Sequence, residues 1–166
     1  MAASHFRHIP RRNRAKGLVP KLRESSAKFK RALKSGDLVR QDEASVAAWN
    51  ALASLFEILR GEQDSGHLAD ELMQVRTGLV IKDTTPDELA GMKSKHRIDR
   101  SRSVSMSLRD TLNKIAHWQF ADFRVDGKNA HYLIFSGTFK HQTWFAEVLV
   151  SRLCRNASAA ISGISG

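Results

Sequence analysis

Apolar positions recur at helical spacing through the first two thirds of the chain and then alternate. Over residues 42–60, Val46, Trp49, Leu52, Ala53, Phe56 and Leu59 share one helical face. That segment reads as the main amphipathic helix, ended by Gly61. A short basic helix is predicted over 21–34, stopping at Ser35-Gly36. Another is predicted over 67–76, with Leu68, Leu72 and Val75 on one face. Leu79 to Ile81 reads as a short extended piece. Thr85-Pro86-Asp87-Glu88 combines a capping box with proline at the first helical position, so a helix should run over 86–93.

A helix is also predicted around SLRDTLNKIAH, where Leu108, Leu112 and Ile115 form the apolar side. Beyond His117 the period becomes two. Ala121, Phe123 and Val125 alternate with Asp122 and Arg124, and Asp126-Gly127-Lys128-Asn129 supplies a turn. Residues 130–139 read as a second strand and Lys140-His141-Gln142-Thr143 as a second turn. Residues 144–150 read as a third strand, since Trp, Phe and Val favour strands. A final helix covers 151–161.

These elements predict an α+β protein: a helical layer over 21–117, an antiparallel three-stranded meander over about 120–150, and a C-terminal helix. In this reading, 1–20 is a flexible basic arm, 21–161 a single domain and 162–166 a flexible tail.

Charge sharpens the picture. The net charge of +10 is distributed as +10 over residues 1–40, −7 over 41–92 and +7 over 93–166. Such asymmetry points to a polyanionic partner, RNA more than DNA, or to an acidic protein surface. In the arm, Arg7, Arg11, Arg12, Arg14 and Lys16 lie among two prolines and a glycine and can neutralise phosphates. An acid-free, Arg-rich start is also compatible with an organellar transit peptide. A second cluster, Lys93, Lys95, Arg97, Arg100 and Arg102, reads as a loop, either a solvated connector or a phosphate-facing element beside the next helix.

No apolar run reaches the roughly 18–20 residues of a membrane span. Neither a secretory signal nor a Cys/His zinc spacing is expected, and the lone Cys154 fits a reducing, cytoplasmic setting. No phosphate-binding glycine loop or nucleophile elbow occurs, and no cofactor or metal is predicted.

The chemistry-bearing pattern is Arg109, Asn113 and His117, spaced by four and so on one helical stripe. Arginine can hold a phosphate through two parallel hydrogen bonds, and the amide can orient it. Histidine is the side-chain type that exchanges protons near neutral pH. The set suits RNA cleavage without a metal, by attack of the 2′-hydroxyl on the adjacent phosphate. It also suits a solvated face with His117 capping the helix C-terminus. The stripe spans about 12 Å at 1.5 Å per residue, so a second copy across a dimer could complete the site.

Arg109, the polar Asp110 and His117 resemble the motif of the HEPN superfamily, many of whose members are RNases. The family motif has four to six residues between Arg and His, and here there are seven. The resemblance implies a dimeric, metal-independent RNase with Arg109 and His117 facing across the dimer. The competing reading is a non-catalytic interaction protein whose basic arm docks on an acidic partner, such as the −7 segment of another copy. His131, His141 and Cys154 read as ordinary structural residues. The aromatic residues of 120–145 read as core more readily than as an RNA-stacking platform.

Overall fold

The computed structural model describes residues 5–165, with side chains from Pro10 onward. The elements are α1 (His5–Ser35), α2 (Leu38–Asp64), α3 (Asp70–Met73), β1 (Arg76–Ile81), α4 (Pro86–Lys95) and β2 (Val104–Ser107). They continue as α5 (Leu108–Ala116), β3 (Phe120–Val125), β4 (His131–Phe139), β5 (Gln142–Leu149) and α6 (Val150–Ser162). The protein is α+β. Its sheet has five strands in the order β2-β1-β5-β4-β3, every neighbouring pair antiparallel.

The expected three-stranded meander is present as β3, β4 and β5, but two further strands extend it, which corrects the smaller sheet. The extended piece at Leu79 to Ile81 belongs to β1, paired to β5 through Leu79–Glu147 and Val80–Ala146. β2 lies between the basic segment read as loop and the predicted helix, where no strand was expected. A four-residue VSMS segment carries little signal alone and becomes a strand by pairing with β1, where Gly78 meets Met106. A Cβ at Gly78 would sit 2.5 Å from the Met106 side chain, so the missing side chain permits that approach.

Residues 5–20, read as a flexible arm, form the first half of α1. The helix runs through Pro10 and Pro20. An interior proline costs about 3 kcal/mol. Burial of Leu18, Val19 and Leu22 offsets this, each apolar side chain contributing about 1.5–3 kcal/mol. α1 packs along α2 as a hairpin turned at Gly36, whose φ is +68°, and Asp37 caps α2 by accepting from the Arg40 N–H. Thus the basic N-terminal segment lies against the acidic segment of its own chain.

α2 is longer than predicted at both ends and passes through Gly61. Of the face read from the sequence, Leu52 and Leu59 are buried, whereas Val46 and Ala53 are exposed; Ala44, Ala48, Ala51 and Leu55 complete the buried side. The helix expected over 67–76 shrinks to the single turn of α3, because Arg76 already belongs to β1. The capping box of α4 is present: Thr85 accepts from the Glu88 N–H, and the Glu88 carboxylate accepts from the Thr85 N–H.

The sheet has two unlike faces. Val80, Met106, Phe123, Leu133, Phe135, Trp144, Ala146 and Val148 point toward α1, α2, α5 and α6 and form the main core. Ile81, Ile134 and Phe145 point the other way and meet Met92 of α4 and Ile98. Cys154 is fully buried in the main core.

Candidate functional site

α5 follows β2 without a loop. Ser107 caps it by accepting from the Asp110 N–H at 3.0 Å, and the Leu108 N–H donates to the Val75 carbonyl at 2.9 Å. Leu108, Thr111, Leu112 and Ile115 are buried, so Arg109, Asn113 and His117 are turned toward the surface. The three residues line one cleft of about 430 Å³ with Arg60, Asp110, Lys114, Thr138, Phe139 and Trp144. The stripe read from the sequence is therefore a shared wall.

His117 is the C-cap residue of α5. Its carbonyl packs against Gly137 of β4. A Cβ there would lie 2.7 Å from that oxygen and 2.6 Å from the Trp144 ring, so glycine lets the helix end seat on the strand. Lys114 stands over Trp144, Nζ 4.7 Å from the ring centroid. Burial pushes its ammonium pKa down, and the neighbouring Lys82 adds to this against the pull of Asp110.

Arg109 is partly committed. Its Nη1 donates to Gln63 Oε1 at 2.7 Å and to Asp64 Oδ1 at 3.1 Å. Asp64 also accepts from Arg60 Nε at 3.4 Å. The Arg109 hydrogen bond, reinforced by Arg60, holds the Asp64 carboxyl below its ordinary range. One carboxylate thus orients two guanidinium groups at the cleft edge.

The turn between β4 and β5 presents an aromatic ring beside these cations. Lys140 and His141 form a two-residue turn with φ of 48° and 65°, the left-handed conformation that matches hairpin twist. Phe139, just before the turn, is 64% exposed, and Lys140 Nζ lies 5.3 Å from its ring centroid. Sequence reasoning missed Arg60, Phe139 and Trp144 as partners of the stripe because they come from α2 and from the β4–β5 hairpin, away from α5 in the chain. Asp110, read beside the stripe from the sequence, does line the cleft, and Lys114 joins it from the same helix.

The Lys93–Arg102 cluster does not join this cleft. It covers the opposite face of the sheet, where Lys95, Arg97, Arg100 and Arg102 line a separate cleft of about 680 Å³ with Glu88 and Asp99. Several of its charges have structural partners. Arg102 pairs with Glu88, Arg100 with Glu147 at 3.5 Å, and His96 with Asp122 at 3.1 Å. Lys93 stands 4.9 Å over the Phe120 ring. The expected position of this segment beside the stripe is thereby corrected.

The N-terminal cations are dispersed along α1. Arg11 pairs with the buried Glu62 at 3.4 Å, and Arg12 is half-buried with its Nε lacking a partner. Arg14 and Lys16 are exposed, and the Arg7 side chain lies outside the described residues. Among the described residues, no group of three or more His, Cys, Asp or Glu is placed to hold a metal ion. No described helix is long and apolar enough to cross a membrane.

No protein-family model matches the chain, and no curated protein or solved structure is significantly similar to it.

Proposed function

We propose that the protein binds single-stranded RNA through the α5 cleft. The observation that carries this reading is the exposed Phe139 ring in one cleft with Arg60, Arg109, Asn113, Lys114 and His117. Single-stranded nucleic acids are held by cations that follow the backbone and by aromatic faces on which bases stack. An apolar ring left in water beside several cations serves that purpose and contributes little to the core. Arg109 retains donors beyond Nη1 for a phosphate, and Asn113 can bond to a phosphate or sugar oxygen.

His117 gives the same cleft a route to cleavage. The imidazole would take the 2′-hydroxyl proton or supply one to the leaving 5′-oxygen, while Arg109 balances charge on the phosphate. This reading draws on the α5 cleft itself and makes the HEPN resemblance an additional expectation.

The test is labelled single-stranded RNA with purified protein in EDTA, scored for binding and for cleavage. Phe139→Ala should weaken binding by about 1–3 kcal/mol, the usual value of one stacked base. Arg60→Gln with Lys114→Gln should flatten the salt dependence. RNA affinity unchanged in both variants would remove the cleft from the reading. Cleavage by the wild type, lost in His117→Ala with binding retained, would make the protein a metal-independent RNase. Binding without cleavage would leave a binding protein.

A further inference from the structure

A different cleft, of about 550 Å³, opens at the other end of β4. Its walls come from α1, the β3–β4 turn and the start of α6. Thr138 lines the α5 cleft and His131 lines this one, so about 23 Å of strand separates them at roughly 3.3 Å per residue.

Five cations line this cleft, Arg23, Lys30, Arg31, Lys34 and Lys128, and none of its lining residues is acidic. The α5 and α4 clefts differ, since Asp64, Glu88 and Glu147 engage their arginines. Arg23, Lys30 and Lys34 recur along α1 at intervals of seven and four, which keeps them on one side of the helix. Across from them, β5 runs directly into α6. Leu149 is the N-cap and no side chain caps the helix, while Val150 and Ser151 of its first turn line the cleft. The first amide N–H groups of a helix lack intrahelical acceptors and carry partial positive charge.

His131 lines the cleft and is 4% exposed. Its Nδ1 is 2.7 Å from Ser26 Oγ, whereas its Nε2 has no hydrogen-bond partner. The Ser26 hydroxyl and the His131 ring thus add a bonded polar pair, and no acid, to the wall.

From this arrangement we infer that the cleft between α1, the β3–β4 turn and the N-terminus of α6 binds a terminal phosphate group. A phosphate monoester carries close to two negative charges and three acceptor oxygens. It matches lysines, two guanidinium groups and the first amides of a helix better than a singly charged diester would. Such a group occurs on small phosphorylated molecules and at the end of a nucleic acid. The inference is independent of the RNA reading, because the two clefts share no lining residue.

The experiment is a titration of the full chain with pyrophosphate, followed by amide chemical shifts and calorimetry. Shifts should concentrate at Asn129, Ser151 and the middle of α1. Lys30→Gln with Lys34→Gln should weaken binding at least tenfold. Ser151→Asp places the protein's own anion at the helix start, so it should abolish binding while leaving the melting temperature equal or higher. Arg60→Gln with Lys114→Gln, in the other cleft, should leave pyrophosphate binding unchanged. The proposal is overturned if pyrophosphate does not bind, if Ser151→Asp binds it like the wild type, or if the α5-cleft variant abolishes binding. Oligoribonucleotides with a 5′-phosphate or a 5′-hydroxyl then separate the sources. A gain from the 5′-phosphate that disappears in Ser151→Asp identifies a nucleic-acid end, and pyrophosphate binding without such a gain identifies a small molecule.

Discussion

On the helical face of the sheet, His131 is buried between aromatic rings; on the opposite face, Glu147 is buried among guanidinium groups. His131 stacks on Phe29 at 5.1 Å and meets Phe123 at 4.7 Å. Burial, with Lys30 nearby, pushes its pKa down to about 4, so the ring is neutral at physiological pH. Glu147 is 2% exposed. It accepts from the Ile98 N–H at 3.1 Å and stands 3.2 Å from Arg124 Nη2 and 3.5 Å from Arg100 Nη2. The Arg124 contact is within ion-pair distance but is not aligned as a hydrogen bond, so its attraction is chiefly Coulombic.

The difference separates two uses of positive charge. Around Glu147, Arg100 and the Ile98 N–H tie a loop to the sheet, while Arg124 of β3 packs over Tyr132 at 4.3 Å. Around His131, Lys30 and Lys34 form no ion pair among the described residues, and the titratable group between them is uncharged. A basic sequence segment therefore says little about ligands until its internal counter-charges are known.

The largest break in this comparison is expected from Glu147→Ala. Removing one partner of a buried pair typically costs about 3–5 kcal/mol. Here it leaves Arg124 uncompensated and the Ile98 N–H without an acceptor. Urea denaturation should show the loss, and Glu147→Leu combined with Arg124→Met should recover much of it. A loss below about 1 kcal/mol in Glu147→Ala would mean that the loop is held by its apolar contacts alone.

A pH dependence comes next. The native state keeps His131 unprotonated to about pH 4, whereas the unfolded chain binds the proton near pH 6.5. The unfolded state thus holds more protons between these values, and stability falls as pH drops through that window. The contribution is present in full above pH 6.5 and amounts to about 3 kcal/mol at most. Denaturation at pH 7 and pH 4.5 should show the decline, and His131→Gln should remove that part of it.

Gly137→Ala should cost about 1–3 kcal/mol by overpacking against Trp144 and the His117 carbonyl. It should also displace the end of α5 and weaken whatever the α5 cleft binds. The smallest effect belongs to Glu88→Gln. Its pair with the half-exposed Arg102 is worth about 0–1 kcal/mol. A loss comparable to that of Glu147→Ala would undo the distinction between exposed and buried pairs on that face.

Much of the fold is legible where local chemistry and tertiary packing agree. Thr85-Pro86-Asp87-Glu88 specifies a helix start through its own side chains. The alternation from Ala121 to Val125 matches the face packed on the core, where Phe123 is buried and Ala121 and Val125 are partly buried. α5 is legible because Leu108, Leu112 and Ile115 share a side. The sequence misleads where distant contacts overrule local preference. Pro10 and Pro20 argue against a continuous helix, yet α2 supplies the surface on which α1 packs. Val104 to Ser107 becomes a strand only beside Gly78. In the candidate site, the spacing of Arg109, Asn113 and His117 was readable, whereas Phe139 and Arg60 reach it through the sheet and α2. The engagement of Arg109 by Asp64 has no local signature, because 45 residues separate the pair.

The fully buried Cys154 makes the molecule its own clock. Its thiol sits inside α6 with no exposed surface, and burial pushes its pKa up against the opposing influence of Arg23. Alkylating reagents attack thiolates, so they can act only when α6 lifts from the core or the chain unfolds. The rate of labelling therefore measures how often that helix opens, and a ligand bound at its first turn would slow the rate in proportion to occupancy.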